Sequence, residues 1–413
     1  MLLNGSVISF ILLLFAVTMI NCDLDLQMLH VVLRHGEKVP HKEFQNYPND
    51  PYRDYSYYPM GNGDLTNEGK LREYKIGKML RERYNQYFGP DYWPEKIYAR
   101  STYISRTQLS MQLVLAGLFP PSEKQTWNPD LPWIPTYSFF APYKHDNLMF
   151  SYNCPKYKEE YNEFSKSNEA QNLLDKYKYV MNYLTERSGK IINTTSDVLH
   201  FYNLLKEETN QNLTLPKWTE AVYPALLKEI VALHFKFRSY TKTLKRLNGG
   251  LLIRKMVEDI KLYITGRLKP YDRKAFFFSG HEMNVAAIAR ALELDEPIIP
   301  LYGSTIILET LRDKKKNYYV RVLFWTGEQL KYKTIPGCAE LCPLYDFFAI
   351  VRDIIPNDDE YHCHPMIDKI DKMAKNEQIN SSASNLITGE IWYYVFSTLL
   401  FMIVRLDIIN VYH

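Results

Sequence analysis

The chain reads as α/β: a three-layer core around a mixed, mostly parallel central sheet, with a smaller, mostly helical domain inserted into it. Three observations carry that reading. Short apolar strand runs alternate with helical periodicity in two separate blocks, one ending near residue 120 and one starting near residue 248. The stretch between them has the texture of charged amphipathic helix and offers no convincing strand. The 413 residues, 46% of them hydrophobic, suffice to bury one large core or two ordinary ones. The 50 Lys and Arg nearly cancel the 47 Asp and Glu, so bulk charge gives no case for a nucleic-acid binder or a polybasic membrane protein. Ordinary Gly and Pro content argues against disorder or a collagen-like chain, and no internal repeat is visible.

Taken in order, residues 7–20 (VISFILLLFAVTMI) are uncharged and apolar and are followed by Asn21 and Asp23, which reads as a secretory signal peptide over 1–22. The first core block, 23–120, then holds a strand at 26–33, a helix from about Thr66, a strand at 96–99 and a helix at 101–118. Residues 121–247 open on a Pro- and Trp-rich passage and continue as helices, forming the inserted cap. The second block, 248–365, holds a helix, a strand at 275–278, a helix at 282–294 and a hairpin at 305–311 and 318–325. The lysines at 314–316 form its solvated tip. A tail, 366–413, contains a second apolar run at 391–404 (IWYYVFSTLLFMIV). As a helix that run reaches about 21 Å, short of a ~30 Å hydrocarbon layer, and it is read as a membrane tether, a lipid-anchor signal or a packed terminal helix.

Cysteine usage fits an oxidising compartment. With Cys22 at the cleavage point, four remain, enough for two disulfides in three pairings. A four-thiolate zinc site is the competing reading. It is set aside because Cys338 and Cys342 lie in Pro-Gly-Cys-Ala-Glu-Leu-Cys-Pro, a turn able to close its own short bridge, which leaves Cys154 with Cys363. Asn193, Asn212 and Asn380 stand in glycosylation sequons.

Three strand-to-helix junctions carry unusual residues: Arg34-His35-Gly36-Glu37-Lys38-Val39-Pro40, Arg100-Ser101-Thr102, and Ser279-Gly280-His281-Glu282. Ligands of open α/β sheets bind beyond the carboxyl ends of the strands, so the three are expected to converge. Converged, they supply what a phosphate monoester needs. Arg34 and Arg100 offer planar forks to phosphoryl oxygens and Lys38 a point charge. One imidazole attacks phosphorus, the other steadies the equatorial oxygens, and Glu282 protonates the leaving alkoxide. Gly36 and Gly280 are read as letting the backbone approach the ligand. His30, inside the first strand, and Arg106 are read as structural.

These residues resemble the histidine acid phosphatase family. Residues 34–40 are similar to its Arg-His-Gly-x-Arg-x-Pro signature and Ser279-Gly280-His281-Glu282 to its second-histidine motif, usually ending in Asp. Leu65-Thr66, Tyr98-Ala-Arg-Ser-Thr102, Arg106-Thr107, Gly249-Gly250 and the Cys338 to Cys342 segment extend the likeness, which is nearest to an insect venom branch. The resemblance implies His35 as nucleophile through a phosphohistidine and Glu282 as proton donor. It implies Arg34, Arg100 and His281 as phosphate ligands, Lys38 in place of a third arginine, and no metal or other cofactor. The chain departs from the family at Lys38, Glu282 and Tyr103, the last standing where Asp often follows Arg-Ser-Thr.

The expected protein is thus a secreted or lysosomal acid phosphatase acting on small phosphate monoesters or phosphoproteins, without nucleic acid, with a tether and a homodimer left open. Two other readings stand beside it: a phytase-like inositol phosphate phosphatase, and a catalytically weak secreted protein that binds a phosphorylated ligand or host partner.

Overall fold

The computed structural model describes residues 24–294 and 299–363. The signal segment 1–22, the sequon at Asn380 and the apolar run 391–404 lie outside the described residues. Among the described residues no helix is long and apolar enough to cross a membrane.

The sheet runs β3-β2-β4-β1-β5-β6-β7, with β1 (Asp25–Arg34), β2 (Ile97–Ser101), β3 (Phe139–Phe140), β4 (Ala275–Gly280), β5 (Thr305–Arg312), β6 (Tyr318–Trp325) and β7 (Leu330–Lys333). Strands β3, β2, β4 and β1 are parallel; β5, β6 and β7 continue the sheet antiparallel, and a two-residue eighth strand, β8 (Cys342–Pro343), pairs with β6. A strand buried on both faces must be largely apolar, and β1 from Met28 to Leu33 is so but for His30, as is β4 from Ala275 to Phe278. Met28 and Val32 face one side with Phe276 and Phe278, and Leu29, Val31 and Leu33 face the other with Phe277. Each fully buried Phe stabilises the fold by about 1.5–3 kcal/mol.

Helices cover both faces, which makes the three layers. On one side lie α1 (Asn67–Phe88) and α2 (Ser105–Leu118), burying Ile76, Leu80, Val114 and Leu118 against the sheet. On the other lie α5 (Gly249–Ile264) and α6 (Glu282–Ala291), burying Leu252, Met256, Val285 and Ile288. Between the two halves of the core come α3 (Thr195–Asn210), α4 (Ala225–Arg238) and shorter helices. Two details differ from the sequence reading. The segment 121–247 contributes β3, a two-residue strand on the parallel edge. The helix expected from Ser101 begins only at Ser105, because β2 continues through Ser101.

His30 is the structural residue expected of it: fully buried, stacked on Phe276 and 3.3 Å from Asp259. Lys314 to Lys316 sit at the exposed hairpin tip between β5 and β6. Cys338 and Cys342 are joined in a disulfide, and Cys154 and Cys363 are each disulfide-bonded.

Candidate active site

Parallel pairing sets β1, β2 and β4 level at their carboxyl ends, with Arg34 opposite Gly280 and Ser101 opposite Ser279. The ladder runs on past the strands: the His35 N–H donates to the Gly280 carbonyl at 3.0 Å and the Thr102 N–H to the Ser279 carbonyl at 3.1 Å. The chain therefore leaves the sheet at one place on all three strands. A cleft of about 440 Å³ opens there, lined by His35, Lys38, Arg106, His281 and Glu282, and at its mouth by His41, Phe44, Tyr103, Phe150 and His200.

His35 is held in one tautomer. Its Nδ1 lies 2.8 Å from its neighbour Gly36's carbonyl oxygen, an acceptor only, so Nδ1 carries the proton and Nε2 the lone pair. The Arg106 Nε–H donates to that Nε2 at 3.0 Å. Burial, with Arg106, Arg34 and His281 nearby, holds His35 well below the usual histidine range. It keeps its lone pair in acid.

His281 stands edge-on to His35, ring centroids 5.4 Å apart. Its tautomer follows from the hydroxyls beside it. The single Thr107 hydroxyl proton goes to the Ile104 carbonyl at 2.8 Å, so Thr102 donates to Thr107 and accepts from His281 Nε2–H at 3.1 Å. Burial and the cations Arg106, Arg34 and Lys38 hold His281 down at about 3, against the pull of Glu282.

Arg34 is buried, its guanidinium 4.0 Å over the Tyr302 ring, with Nη1 donating to the Pro300 carbonyl at 2.7 Å. Its Nε is 3.0 Å from Glu282 Oε2 but out of alignment for a hydrogen bond. Burial opposes charge on Glu282, yet Arg34, its own backbone N–H, His281 and Arg106 outweigh it and hold the carboxyl at about 2.

The structure corrects the sequence reading at four places. Arg100 does not reach the cleft: alternation along β2 turns it to the face opposite Ala99 and Ser101, where it pairs with buried Asp146. Arg106, read as structural, is the arginine on the nucleophile, delivered by the first turn of α2. Lys38 lines the cleft, but its three N–H groups go to Glu207 Oε1 (2.8 Å), Gln45 Oε1 (3.0 Å) and the Val39 carbonyl (3.3 Å). It is a strut to α3 with no proton left for phosphate. The glycines serve packing, since a Cβ on Gly36 would lie 2.4 Å from the Gly69 carbonyl oxygen and one on Gly280 2.4 Å from Asn284 Oδ1.

Tyr103 sits at the rim, half exposed, its ring against Tyr143 and Phe150. Tyr302, Glu207 and Asn203 escaped the sequence reading because nothing in their neighbourhoods marks them. Arg106 did carry a signal: it lies in the same motif as Arg100, with Thr107 beside it. Among the described residues no group of His, Cys, Asp and Glu is arranged to hold a metal ion.

With the geometry in place, comparison with known proteins is informative. The model of the histidine phosphatase superfamily (branch 2) matches residues 25–325. Venom acid phosphatase Acph-1 of Apis mellifera is 34% identical over 374 residues, 89% of this chain and 95% of that protein. Prostatic acid phosphatase of Homo sapiens is 32% identical over 350 residues, 82% of this chain and 88% of that protein. Among solved structures, Hafnia alvei phytase in complex with myo-inositol hexakis sulphate superposes with a TM-score of 0.62 at 17% identity, covering 83% of this chain and 98% of that one; the likeness is one of fold.

Proposed function

The chain belongs to branch 2 of the histidine phosphatase superfamily, and from that premise we propose that it is an acid phosphatase hydrolysing phosphate monoesters through a phosphohistidine on His35. The observation that carries this reading is the state of His35: one tautomer, lone pair on Nε2, and a basicity so depressed that the lone pair survives in acid.

The substrate phosphoryl group takes the forks of Arg34 and Arg106, and Arg106 passes its hydrogen bond from His35 Nε2 to a phosphoryl oxygen. Nε2 then forms the bond to phosphorus as the ester P–O bond breaks. The positive charge that develops on the ring is stabilised through Nδ1–H to the Gly36 carbonyl. Glu282 gives its proton to the departing oxygen, releasing an alcohol or phenol. Water then attacks phosphorus, Glu282 takes its proton, and the P–N bond breaks to regenerate His35.

An ionised Glu282 before substrate binds fits this cycle. A bound phosphate dianion engages Arg34 and Arg106, the cations that hold the carboxyl down, and adds negative charge beside it. Both effects raise its pKa, so substrate binding arms the acid. The same dianion raises the basicity of His281.

The apolar mouth, with Phe44, Tyr103, Ile104, Phe150, Leu199 and Met283, suits a substrate with a single phosphate better than an inositol polyphosphate, which would call for further cations. An intact nucleophile, two arginines and an acid argue against a binding-only role. We read 23–120 and 248–365 as the phosphatase core and 121–247 as its cap. The protein enters the secretory pathway, with Cys154 paired to Cys363 and glycans on exposed Asn193 and Asn212. A homodimer has its best support in the exposed Trp127, Trp133, Tyr137 and Phe140 near the edge strand β3.

The test is hydrolysis of an aryl phosphate between about pH 4 and 7, with rapid-quench trapping of labelled enzyme. Turnover and an acid-labile phosphohistidine are expected in the wild type, and neither in His35→Ala. Undiminished turnover in His35→Ala would refute the mechanism.

A further inference from the structure

Glu282 is one methylene longer than the Asp usual in the family, and a longer acid has more ways to miss the leaving oxygen. Its two carboxylate oxygens have different surroundings. Oε2 faces Arg34 Nε, which is not aligned to donate to it. Oε1 accepts from Asn203 Nδ2 at 3.3 Å. Asn203 comes from α3, in the segment between the two core blocks, and lines the cleft beside Leu199 and His200.

What puts Asn203 there is the next turn of the same helix. Residues four apart share a helix face, so Asn203 and Glu207 point the same way. Glu207 is fully buried and saturated: Oε1 accepts from Lys38 Nζ at 2.8 Å and the Tyr302 hydroxyl at 3.0 Å, and Oε2 from Gln45 Nε2 at 2.8 Å. That cluster pins α3 to the loop after β1. Asn203 is thereby held over the first residue of α6.

We propose that Asn203 is a positioning residue for proton transfer, acting through Glu282 to fix the orientation of the acid and the oxygen that carries its proton. An amide N–H on Oε1 makes that oxygen the carbonyl-like acceptor, so the proton of the armed acid resides on Oε2, the oxygen beside Arg34 and hence beside the bound phosphoryl group. The proton leaves Oε2 for the ester oxygen as the P–O bond breaks, and Oε1 keeps its hydrogen bond throughout. The proposal rests on Glu282 being the proton donor.

It predicts a dependence on leaving group. An alkoxide needs a proton as it departs, whereas 4-nitrophenolate does not. For Asn203→Leu, kcat/KM, which ends at the phosphohistidine and excludes the water step that Glu282 also serves, is expected to fall about tenfold on glycerol 2-phosphate and less than about twofold on 4-nitrophenyl phosphate. In a Glu282→Asp background the shortened acid no longer reaches the amide, and adding Asn203→Leu is expected to cost less than about twofold on the alkyl substrate. Equal losses on both substrates, no loss on the alkyl substrate, or the same loss in the Glu282→Asp background each overturn the proposal. Should Asn203→Leu fail to melt cooperatively, Asn203→Ser makes the same comparison with a smaller change of volume. A wild type that turns over neither substrate would sink the acid phosphatase reading itself, a result distinct from any of these.

Discussion

Two glutamates with arginines beside them, buried Glu309 on β5 and partly buried Glu282 at the start of α6, are held in different ways. Glu309, on β5, is saturated. Oε1 accepts from Arg83 Nε and Nη2 at 3.1 and 3.0 Å and from the Tyr84 hydroxyl at 2.8 Å, and Oε2 from Arg321 Nε at 2.7 Å. Glu282 has one 3.3 Å bond from Asn203 and an unaligned arginine. Around it Arg34 Nε has no hydrogen-bond partner, and Arg106 spends its Nε on an imidazole lone pair. Arg34 and Arg106 thus converge on an imidazole and a carboxylate where three strand ends meet, a cationic setting suited to an anion. The difference teaches that the inventory of residue types does not separate a site from a strut; Glu309 is locked on both oxygens, whereas Glu282 is held mainly by charge and keeps an oxygen able to exchange a proton.

The sharpest way to break this comparison is to remove, side by side, the arginine on the nucleophile and the arginine paired with buried Asp146. Arg106→Ala is expected to lower kcat/KM by about 10²–10³, the usual cost of losing one preorganised donor to a transition-state oxyanion. Arg100→Ala, which strips buried Asp146 of its partner, is expected to leave kcat/KM within about threefold and to lower the melting temperature instead. Steady-state kinetics and thermal melts on both variants decide it. A large kinetic loss at Arg100 with a mild one at Arg106 would put the phosphate on the wrong side of β2 for everything argued above.

Glu309→Gln probes the other member of the pair. The substitution keeps the shape and removes the charge that two arginines and a tyrosine share. Arg83 and Arg321 are each about a quarter exposed, 25% and 24%, so water softens the loss, and about 2 kcal/mol of stability is expected to go. Urea denaturation measures that. The kcat of the folded variant is expected within about twofold of wild type; a large drop would mean that the antiparallel half of the sheet takes part in catalysis.

How far sequence alone reached follows from the same physics. The strands β1 and β4 announce themselves because burial on both faces demands apolar runs, broken in β1 only by His30 between Met28 and Leu33, and their ends carry His35, His281 and Glu282 in the open. Periodicity places the principal helices and strands of the two core blocks, but not the late start of α2 or the short strand β7. What periodicity does not carry is the direction of a polar side chain at a junction. Arg100 and Arg106 are equally plausible by type, and only alternation along β2 and the late start of α2 separate them. Lys38 is conspicuous in its motif, but its partners Gln45 and Glu207 are 7 and 169 residues away. Glu207 and Asn203 belong to an ordinary amphipathic helix whose role appears only once it is docked.

A third buried carboxylate extends the comparison to a case with no cation at all. Glu208, next to Glu207 on α3, is buried against Asp50, and burial with the Asp50 and Glu207 charges pushes its carboxyl up from 4.5 to about 8. The folded protein therefore holds a proton there that the unfolded chain releases above 4.5. By linkage, the stability tied to this group is fully present below the unfolded value and is lost as pH rises toward and through about 8. The buried histidines act with the opposite sign. His35, His234 and His281 are neutral when folded, so acid favours the unfolded chain as their unfolded pKa of 6.5 is crossed downward. Stability is then expected to peak in mildly acidic solution. Glu208→Gln removes the titration and keeps the shape, so its loss of melting temperature between about pH 5 and 8 is expected to be shallower than that of wild type, by a few degrees. The acid limb should be unchanged, because the histidines remain. Parallel pH profiles would show that Glu208 is ionised in the fold, and that a carboxylate can be buried here with neither the cations that saturate Glu309 nor the proton expected of it.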